Sequence, residues 1–580
     1  MNSNDKIRWI RSGETALGIE LGSTRIKSVL IGPDHAVLAS GVYQWENTLE
    51  HGLWGYRLED AIAGVQASFR DLDEAVCRDY GVHLETIGAI GISGMMHGYL
   101  ALDRDGNQLA PFLTWRNTNT VAAAEELTNL FNFNIPLRWS IAQLYQAILE
   151  KQPHVPQVAH ITTLAGYIHY RLTGRFAMGV GDASGMFPID PDTCDFDRRM
   201  LGQFDTLVAP YGFPWQVRDL LPEVLTAGTC AGALTEEGAR LLDPTAVLRP
   251  GIPMAPPEGD AGTGMAATNS VAVRTGNVSA GTSIFSMVVL ERSLRRLYRD
   301  IDIVATPSGH AVAMVHCNNG TTEIDAWCRL FRRFAQLLGA EADESTVYRL
   351  LFEESLQGDG DCDGVLYYNY MAGEPVVGLT EGLPMLLRLP ESSFTLANFM
   401  RSQLCAVMAA LAVGMRILED EEVRIDRLTG HGGIFKTPGV AQHYLAAAMG
   451  APVSVMTGAG EGGPYGMALL AQYLKVHDGG RTLEDFLRED VFRAEESSIY
   501  VPTDEECAGV PPLSGAAQPR SGGGARRGGS VLKGYAYTLK QDIARGRGTM
   551  DSIVPLLLCR VFTFGRGRVS LETRQAQNSG

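Results

Sequence analysis

One acidic residue near the middle of the chain has the surroundings of a general base. Asp260 lies in the segment Pro257-Glu258-Gly259-Asp260-Ala261-Gly262-Thr263-Gly264. Glycines on both sides would let the backbone and a ligand approach each other closely. A carboxylate placed there can accept a proton from a hydroxyl group of a bound molecule. The same residue would also suit the N-cap of a helix of small residues, and the local pattern does not decide between the two roles.

Two short turns of glycine and hydroxyl residues could bind phosphate. Gly22-Ser23-Thr24 follows the apolar run Ala16–Glu20, and Gly281-Thr282-Ser283 lies within the apolar segment Gly276–Phe285. Each turn is predicted to join two strands in a hairpin. Taken alone, each turn is more commonly a plain hairpin connection. Together, their N–H and hydroxyl groups could hold a polyphosphate between them. The chain contains no GxxxxGK[ST] phosphate loop.

Two polar segments follow apolar strands and are candidates for binding a small molecule. Met95-Met96-His97-Gly98 follows the predicted strand Ile87–Ile92, at the carboxyl end where α/β domains place ligands. Trp115-Arg116-Asn117 follows a second apolar stretch, and its indole could stack on the face of a sugar. The alternatives are a structural histidine and a core tryptophan. The sequence has no zinc-type spacing of Cys and His and no GxSxG motif.

Two late glycine clusters each precede a predicted helix. Gly430-His431-Gly432-Gly433 comes before the helical pattern Val440–Ala448, and Gly458–Gly463 comes before Tyr465–Leu474. Helix N-termini that follow glycine loops bind anions and nucleotides well, because their first N–H groups have no partner within the helix.

The elements that would position these residues alternate between strands and helices. Amphipathic helices are predicted at 58–82 and 396–418, and the alternation is typical of an α/β protein. A proline-rich stretch near residue 250 interrupts the pattern, and the hairpin with its Gly-Thr-Ser turn then recurs. We therefore predict two related α/β domains, at residues 14–255 and 256–505.

The composition excludes several classes of protein. With 45% hydrophobic and 20% charged residues, the 580-residue chain is expected to be globular. Its net charge of −17 disfavours sequence-independent binding of nucleic acid and of anionic membranes. No secretory signal or membrane-spanning stretch is expected. The nine cysteines are scattered without CxxC pairs, which predicts reduced thiols in the cytoplasm.

The C-terminal segment differs from the rest of the chain. Residues 510–580 are rich in glycine and arginine and carry eleven Lys or Arg against three Asp or Glu. The segment has no clear hydrophobic periodicity, so we predict a tail that is disordered or frame-shifted.

Taken together, these segments resemble the FGGY family of carbohydrate kinases over roughly residues 14–500, and its xylulokinase-like members above all. This family lies within the actin/hexokinase/heat-shock ATPase superfamily. The matching segments occur in the family's order: Gly18-Ile19-Glu20-Leu21-Gly22-Ser23-Thr24-Arg25-Ile26-Lys27, Met95-Met96-His97-Gly98, Thr114-Trp115-Arg116-Asn117, Glu258-Gly259-Asp260-Ala261-Gly262, Ser279-Ala280-Gly281-Thr282-Ser283, Gly430-His431-Gly432-Gly433 and Gly458–Gly463. This order is more specific than any one segment.

The resemblance implies a fold and a site. The fold would be two ribonuclease-H-like, actin-like ATPase domains, with sugar and MgATP bound in the cleft between them. Asp260 would be the catalytic base. The sugar would be bound by Met96, His97, Trp115, Arg116, Asn117 and Asp260. ATP and its phosphates would be bound by Gly22, Ser23, Thr24, Lys27, Gly281, Thr282, Ser283, Gly432, Gly433, Gly462 and Gly463. Magnesium would be bound by Glu20 and Asp260.

The activity implied is ATP-dependent phosphorylation of the terminal hydroxyl of a ketopentose, with D-xylulose first and L-ribulose as the nearest alternative. Sugar and ATP would be the only partners, with no nucleic acid or membrane, and a homodimer is compatible with the family. Glu20 departs from the family's usual aspartate and reaches one methylene further. The family's Lys-before-Trp pattern is also not clean in 131–149, where Trp139 is followed by Ser140.

Two further classes remain open. A non-catalytic switch that binds sugar or nucleotide could use the same fold, although the intact Asp260 argues against it. An actin- or chaperone-like ATPase would hydrolyse ATP without sugar, and the His97 and Trp115 segments favour a sugar pocket instead.

Overall fold

A computed structural model of the chain describes residues 3–456, 462–477, 479–493 and 497–509. The predicted tail at 510–580 and most of the cluster Gly458–Gly463 lie outside the described residues.

The first half is built on a five-stranded sheet with helices around it. Its strands are β1 (Ala16–Leu21), β2 (Arg25–Ile31), β3 (Val37–Gln44), β4 (Thr48–Glu50), β5 (Leu53–Gly55), β6 (Ala89–Gly94), β7 (Leu100–Leu102), β8 (His160–Thr162), β9 (Ala177–Gly179), β10 (Ile189–Asp190), β11 (Asp195–Phe196), β12 (Glu223–Leu225) and β13 (Glu258–Gly259). Its helices are α1 (Ser3–Ser12), α2 (Leu58–Tyr80), α3 (Val121–Phe131), α4 (Ser140–Leu149), α5 (Leu164–Thr173), α6 (Val180–Ala183), α7 (Arg198–Val208), α8 (Val217–Leu220), α9 (Glu236–Leu242) and α10 (Asp260–Ala267).

The strand order of this sheet is β13-β6-β1-β2-β3. β1 forms the predicted hairpin with β2 and runs parallel to β6, which in turn runs parallel to β13. The apolar side chains of β1, among them Ile19 and Leu21, are buried, as expected for a strand covered on both faces. α2 turns its apolar stripe inward and ends at Gly81, whose left-handed backbone closes the last turn.

The second half repeats the arrangement. Its strands are β14 (Thr275–Ala280), β15 (Ile284–Val289), β16 (Asp302–Ala305), β17 (Ala311–Cys317), β18 (Leu366–Tyr368), β19 (Met385–Leu387), β20 (Arg427–His431), β21 (Val453–Met456) and β22 (Ser497–Tyr500). Its helices are α11 (Thr322–Leu337), α12 (Glu344–Ser355), α13 (Leu396–Asp420), α14 (Val440–Met449), α15 (Gly463–Val476), α16 (Leu483–Phe486) and α17 (Asp504–Gly509).

The larger sheet of this half has the order β16-β17-β15-β14-β20-β21-β22. β14 pairs with β15 as a hairpin on one side and runs parallel to β20 on the other, as β1 does with β2 and β6. β20 and β21 are also parallel, as β6 and β13 are. The prediction of two related α/β halves is therefore confirmed.

One helix of the second half packs onto the first sheet. α15 lies against β1 and β6 and also against α10. Glycines allow this close approach: a Cβ at Gly18 would collide with the carbonyl oxygen of Pro464, and a Cβ at Gly466 with that of Thr263. β13, which follows the predicted boundary at residue 255, also belongs to the first sheet. The predicted domain limits stay a prediction.

Among the described residues, α13 is the helix that is long and apolar enough to cross a membrane. Most of its apolar stretch is buried inside the protein, where α13 packs against α12 and α14. It is therefore the core helix of the second half.

We predict that Gly466→Ala destabilises the protein. The added methyl group would meet the backbone oxygen of Thr263, so α15 and α10 would have to separate, at a cost of about 1–3 kcal/mol. Because α10 begins at Asp260, the change should also displace that carboxylate. Thermal unfolding checks the first effect. The control is Gly264→Ala on α10, where nothing lies within 4 Å of the added methyl. Equal melting temperatures for the two variants would contradict the packing argument.

Candidate active site

Three parallel strands of the first sheet bring the predicted residues to one edge. β1 ends beside Gly94 of β6, and Gly259 of β13 pairs with the same residue. The chain continues from these strands into Gly22, Met95 and Asp260 respectively. Since parallel strands end at the same edge, side chains that are far apart in sequence converge there, as at ligand sites of other α/β folds.

Asp260 is the first residue of α10 and is partly buried. Its Oδ1 accepts a hydrogen bond from the backbone N–H of Met96, at 3.3 Å. Burial raises the pKa of this carboxyl above its ordinary value, and backbone N–H groups offset part of that rise. Gly259, rather than Asp260, takes the N-cap position. The structure thus places the carboxylate at the end of β6, beside the segment that holds His97.

Glu20 lies near Asp260 at the end of β1. Its carboxyl faces the N-terminus of α15, where a Cβ at Gly463 would lie 2.7 Å from the carboxyl oxygens. The pKa of Glu20 is raised to about 8, mainly by burial and also by the negative charge of Asp260, while the positive charge of Lys27 on the paired strand offsets part of the rise. A cation bound between these two carboxyl groups would favour their ionised forms, so the pair is a candidate cation site.

Magnesium fits this pair of carboxylates. No cluster of three or more His, Cys, Asp or Glu side chains suited to a metal occurs among the described residues. Mg²⁺ does not need such a cluster, because it commonly binds to one or two carboxylates and completes its shell with water and substrate phosphates.

His97 is buried and has a left-handed backbone, with φ at 70°. Such a conformation costs a non-glycine residue about 1–3 kcal/mol and persists mainly where surrounding structure enforces it. Its Nδ1 lies 3.1 Å from the carbonyl oxygen of Gly185. Burial lowers the pKa of His97 well below its ordinary value, and the positive charge of Arg138 lowers it further. The ring is therefore neutral, with Nδ1–H donating to Gly185 and Nε2 left as an acceptor.

The first glycine turn is held by two aromatic side chains. Trp45 Nε1 donates to the carbonyl of Gly22 at 2.8 Å, and the Tyr56 hydroxyl donates to that of Ser23 at 2.6 Å. The two rings stack on each other, with centroids 4.2 Å apart. The carbonyl of Thr24 accepts from the backbone N–H of Trp45. The backbone N–H groups of Ser23 and Thr24 make no hydrogen bond to the described part of the chain, so they can bind an anion.

The second glycine turn is held from behind by the loop that precedes α11. The N–H of Gly320 donates to Thr282, and that of Thr321 donates to Gly281, both at 2.8 Å. Thr282 itself is exposed at the tip. Gly432 lies against this turn with φ at 104°, and a Cβ there would collide with the carbonyl of Ala280. The turn and the first late glycine cluster therefore meet at the ends of β14 and β20.

Two of the remaining predicted glycines, Gly433 and Gly462, face open space. A Cβ at Gly433 or Gly462 would have no neighbour within 4 Å among the described atoms. Gly462 is the N-cap of α15, and Gly463 is its first residue and lies beside Glu20, on the side of the first sheet. The structure thus brings Gly463 to the carboxylates and places Gly432 and Gly433 at the second turn.

The segment Trp115-Arg116-Asn117 is less directly placed for binding. Asn117 uses its amide to hold the backbone of Trp54, accepting from its N–H and donating to its carbonyl, both at 2.8 Å. The Arg116 guanidinium stacks over the Trp54 ring at 3.9 Å. The Trp115 side chain is 40% exposed and the Arg116 side chain is exposed as well, so these two can contact a ligand whereas Asn117 is buried.

Sequence patterns did not indicate several residues that surround the site. Arg138 forms an ion pair with Asp302, which joins the two halves next to His97. Asp182 and Glu258 are buried behind Asp260, and burial raises the pKa of Asp182 to about 7 and that of Glu258 to about 8. Glu258 lies within the Asp260 segment, whereas Arg138, Asp302 and Asp182 lie in ordinary local sequence, so only their three-dimensional placement identifies them.

A separate cavity of about 270 Å³ lies between the two halves. Its walls include Phe133, Met200 and Leu290, whereas Asp260 and His97 do not line it.

The comparisons with known proteins agree with this architecture. The profile described as the N-terminal domain of the FGGY family of carbohydrate kinases matches residues 15–261, and that of the C-terminal domain matches residues 276–474. A xylulose kinase from Escherichia coli (strain K12) is 26% identical over 291 residues, which cover 48% of this chain and 55% of that relative. The chain spans about half the length of the first curated relatives it matches.

Solved structures share the fold. A ligand-bound xylulose kinase from Lactobacillus acidophilus aligns with a TM-score of 0.69 at 16% identity, covering 85% of this chain and 95% of that one. A gluconate kinase from the same organism aligns with a TM-score of 0.68 at 16% identity, covering 85% and 94%. At such identities the likeness extends to the fold alone, which is the predicted two-domain, actin-like arrangement. Since both family profiles match in order and together span most of the chain, this protein belongs to the FGGY family of carbohydrate kinases.

Proposed function

We propose that the protein transfers the γ-phosphoryl group of ATP to the terminal hydroxyl of a ketopentose, with D-xylulose as the first candidate and L-ribulose as the second. The observation that carries this proposal is the position of Asp260, whose carboxylate lies at the strand ends beside Glu20 and the His97 segment. The xylulose kinases among the relatives and the Met96-His97 segment support D-xylulose.

Asp260 has the properties of a general base for this reaction. The raised pKa of Asp260 is closer to neutral pH than that of an ordinary aspartate, and a general base is most effective when its pKa lies near the operating pH. It would accept the proton of the sugar hydroxyl as that oxygen attacks the γ-phosphorus. Neutral His97 would orient the sugar, because its Nε2 can accept a hydrogen bond from a sugar hydroxyl while Nδ1–H donates to Gly185.

The two glycine turns would hold the phosphates of ATP through backbone N–H groups. Glu20 and Asp260 would hold Mg²⁺, which when bound neutralises charge on the phosphates. Most of the catalysis in such a transfer comes from positioning and charge stabilisation. The ion pair between Arg138 and Asp302 joins the halves beside the pocket, so it would help to exclude water when the cleft is closed.

The scattered cysteines support a reduced, cytoplasmic setting, and the acidic charge supports small-molecule partners rather than nucleic acid or membrane. A non-catalytic binding switch is the second candidate, because Glu20 stands where the family usually has aspartate.

A substrate panel tests the proposal. ADP release is measured with MgATP and D-xylulose, L-ribulose, D-ribulose or glycerol, and without sugar. The proposal predicts release that depends on one ketopentose. Release without sugar would favour an ATPase. No ADP release with any sugar, in a protein that still binds ATP, would favour the non-catalytic switch.

We predict that Asp260→Asn lowers kcat by about 10²–10⁴-fold, because the amide cannot accept the proton. The ATP dissociation constant, measured by calorimetry, should stay within a few-fold, since the variant keeps the shape of the side chain. Asp60→Asn is the matched control, because Asp60 also lies in the first turn of a helix but is exposed. Full turnover by Asp260→Asn would remove Asp260 as the base.

We predict that His97→Ala raises the KM for sugar by about tenfold or more and leaves the KM for ATP nearly unchanged, because one hydrogen bond to a buried acceptor is lost. His51→Ala is the control, since His51 is exposed and has a similar left-handed backbone. An unchanged sugar KM would place His97 outside the pocket.

We predict that Tyr56→Phe raises the KM for ATP by roughly 3–10-fold, because the first turn loses the hydrogen bond that fixes Ser23. The KM for sugar should change little. Tyr80→Phe is the control, because its hydroxyl makes the same kind of bond to the carbonyl of Leu38, on β3. Equal ATP KM values for both variants would show that Tyr56 does not shape the phosphate turn.

A further inference from the structure

One buried carboxylate of the second half lies outside the site described above. Glu374 lies in the segment between β18 and β19, and its side chain is fully buried. Its backbone pairs with that of Leu379: each N–H donates to the other residue's carbonyl, at 2.8 and 3.0 Å. Glu374 therefore forms the base of a small closed loop. Because a buried carboxylate is costly unless hydrogen bonds replace the lost water, its partners indicate what it holds in place.

The partner of the Glu374 carboxylate is Asn319, in the loop between β17 and α11. Glu374 Oε2 accepts from the backbone N–H of Asn319 at 3.2 Å and from its Nδ2 at 2.9 Å. The Asn319 amide also holds the backbone of Ala372, accepting from its N–H at 2.8 Å and donating to its carbonyl at 3.2 Å. These hydrogen bonds join the segment that contains Glu374 to the loop that precedes α11.

The loop that Glu374 holds is the one that supports the second glycine turn. Gly320 follows Asn319 directly, and its N–H donates to the carbonyl of Thr282 at 2.8 Å. A Cβ at Gly320 would collide with the carbonyl oxygen of Gly281, so loop and turn are in direct backbone contact. Only Asn319 therefore separates the Glu374 carboxylate from the residue that braces the turn.

We propose that Glu374 is a positioning residue for ATP, which acts through Asn319 and Gly320 to fix the second glycine turn before the nucleotide binds. The role rests on the proposed function, since ATP phosphate is what this turn would hold. Backbone N–H groups bind an anion more tightly when they are already ordered, because ordering them during binding costs free energy. The carboxylate does not touch the nucleotide in this arrangement. It supplies the acceptor that keeps Asn319 in place.

Calorimetry of ATP binding to variants of the full chain tests the proposal. Glu374→Ala should raise the dissociation constant of ATP about tenfold or more, because two N–H groups of Asn319 lose their acceptor. Glu374→Gln should stay within a few-fold of the parent, because its amide nitrogen can replace Oε1, which bonds to no described residue. Glu421→Ala is the matched control. That carboxylate is similarly buried and holds Arg295 and Tyr298, so its loss should lower the melting temperature without weakening ATP binding.

A double-mutant cycle separates positioning of the turn from a general loss of stability. Asn319→Ala should also weaken ATP binding, and combining it with Glu374→Ala should add little further loss, because both changes remove the same hydrogen bonds. The KM for ATP should rise in these variants while the KM for sugar stays near the parent value. Parent-like ATP binding by Glu374→Ala, or losses that multiply in the double variant, would overturn the proposal.

Measuring binding and turnover in the same samples distinguishes failure of this role from failure of the proposed function. A parent protein that binds ATP but phosphorylates no sugar, with a Glu374→Ala variant that binds ATP weakly, would contradict the function and support the role of Glu374. A parent that phosphorylates sugar, with a Glu374→Ala variant that binds ATP normally, would contradict the role alone. A parent that binds no ATP would contradict both.

Discussion

The burial of Glu20 and Asp260 next to each other is the constraint on which the site depends. Each carboxyl is costly to bury, and the charge of Asp260 makes Glu20 harder to ionise, so the pKa values of both lie above their ordinary range. The fold holds them there because they follow parallel strands whose ends coincide. Part of the cost is offset by Lys27 and by the N-terminus of α15. A divalent cation would offset most of the remainder, which is why this pair fits a magnesium-dependent transfer.

The placement of the pair relies on close backbone contacts of α15 with β1 and with α10. α15 begins beside Glu20, passes over β1 at Gly18 and touches α10 at Gly466, where no side chain separates the two helices. α10 in turn begins at Asp260. α15 therefore joins the strand that carries Glu20 and the helix that begins at Asp260 in one packed unit.

The sequence indicated the chemistry-bearing segments and their order but not the contacts between them. The two hairpins, α2 and α13 follow from apolar periodicity and turn residues, which are local signals. Asp260 and His97 could be named because glycines and strand ends surround them. By contrast, no sequence motif marks Trp45 and Tyr56, which hold the first turn through hydrogen bonds. Nor does any motif mark Arg138, which forms an ion pair with Asp302 of the second half. Asn117 shows the opposite case, since a residue chosen for binding has its amide engaged with the backbone of Trp54. Long-range pairing of this kind is set by tertiary packing, which a single sequence does not encode in any short window.

The central claim is that these two halves position ATP and a sugar hydroxyl for direct transfer to the sugar. Phosphorus NMR of a reaction that contains the full chain, MgATP and D-xylulose tests it most directly. The account predicts a new phosphate monoester signal that grows in step with ADP and is coupled to the protons on C5 of the sugar. ADP that accumulates together with inorganic phosphate, and without any ester, would contradict it, because the groups at the strand ends would then be activating water rather than a sugar hydroxyl.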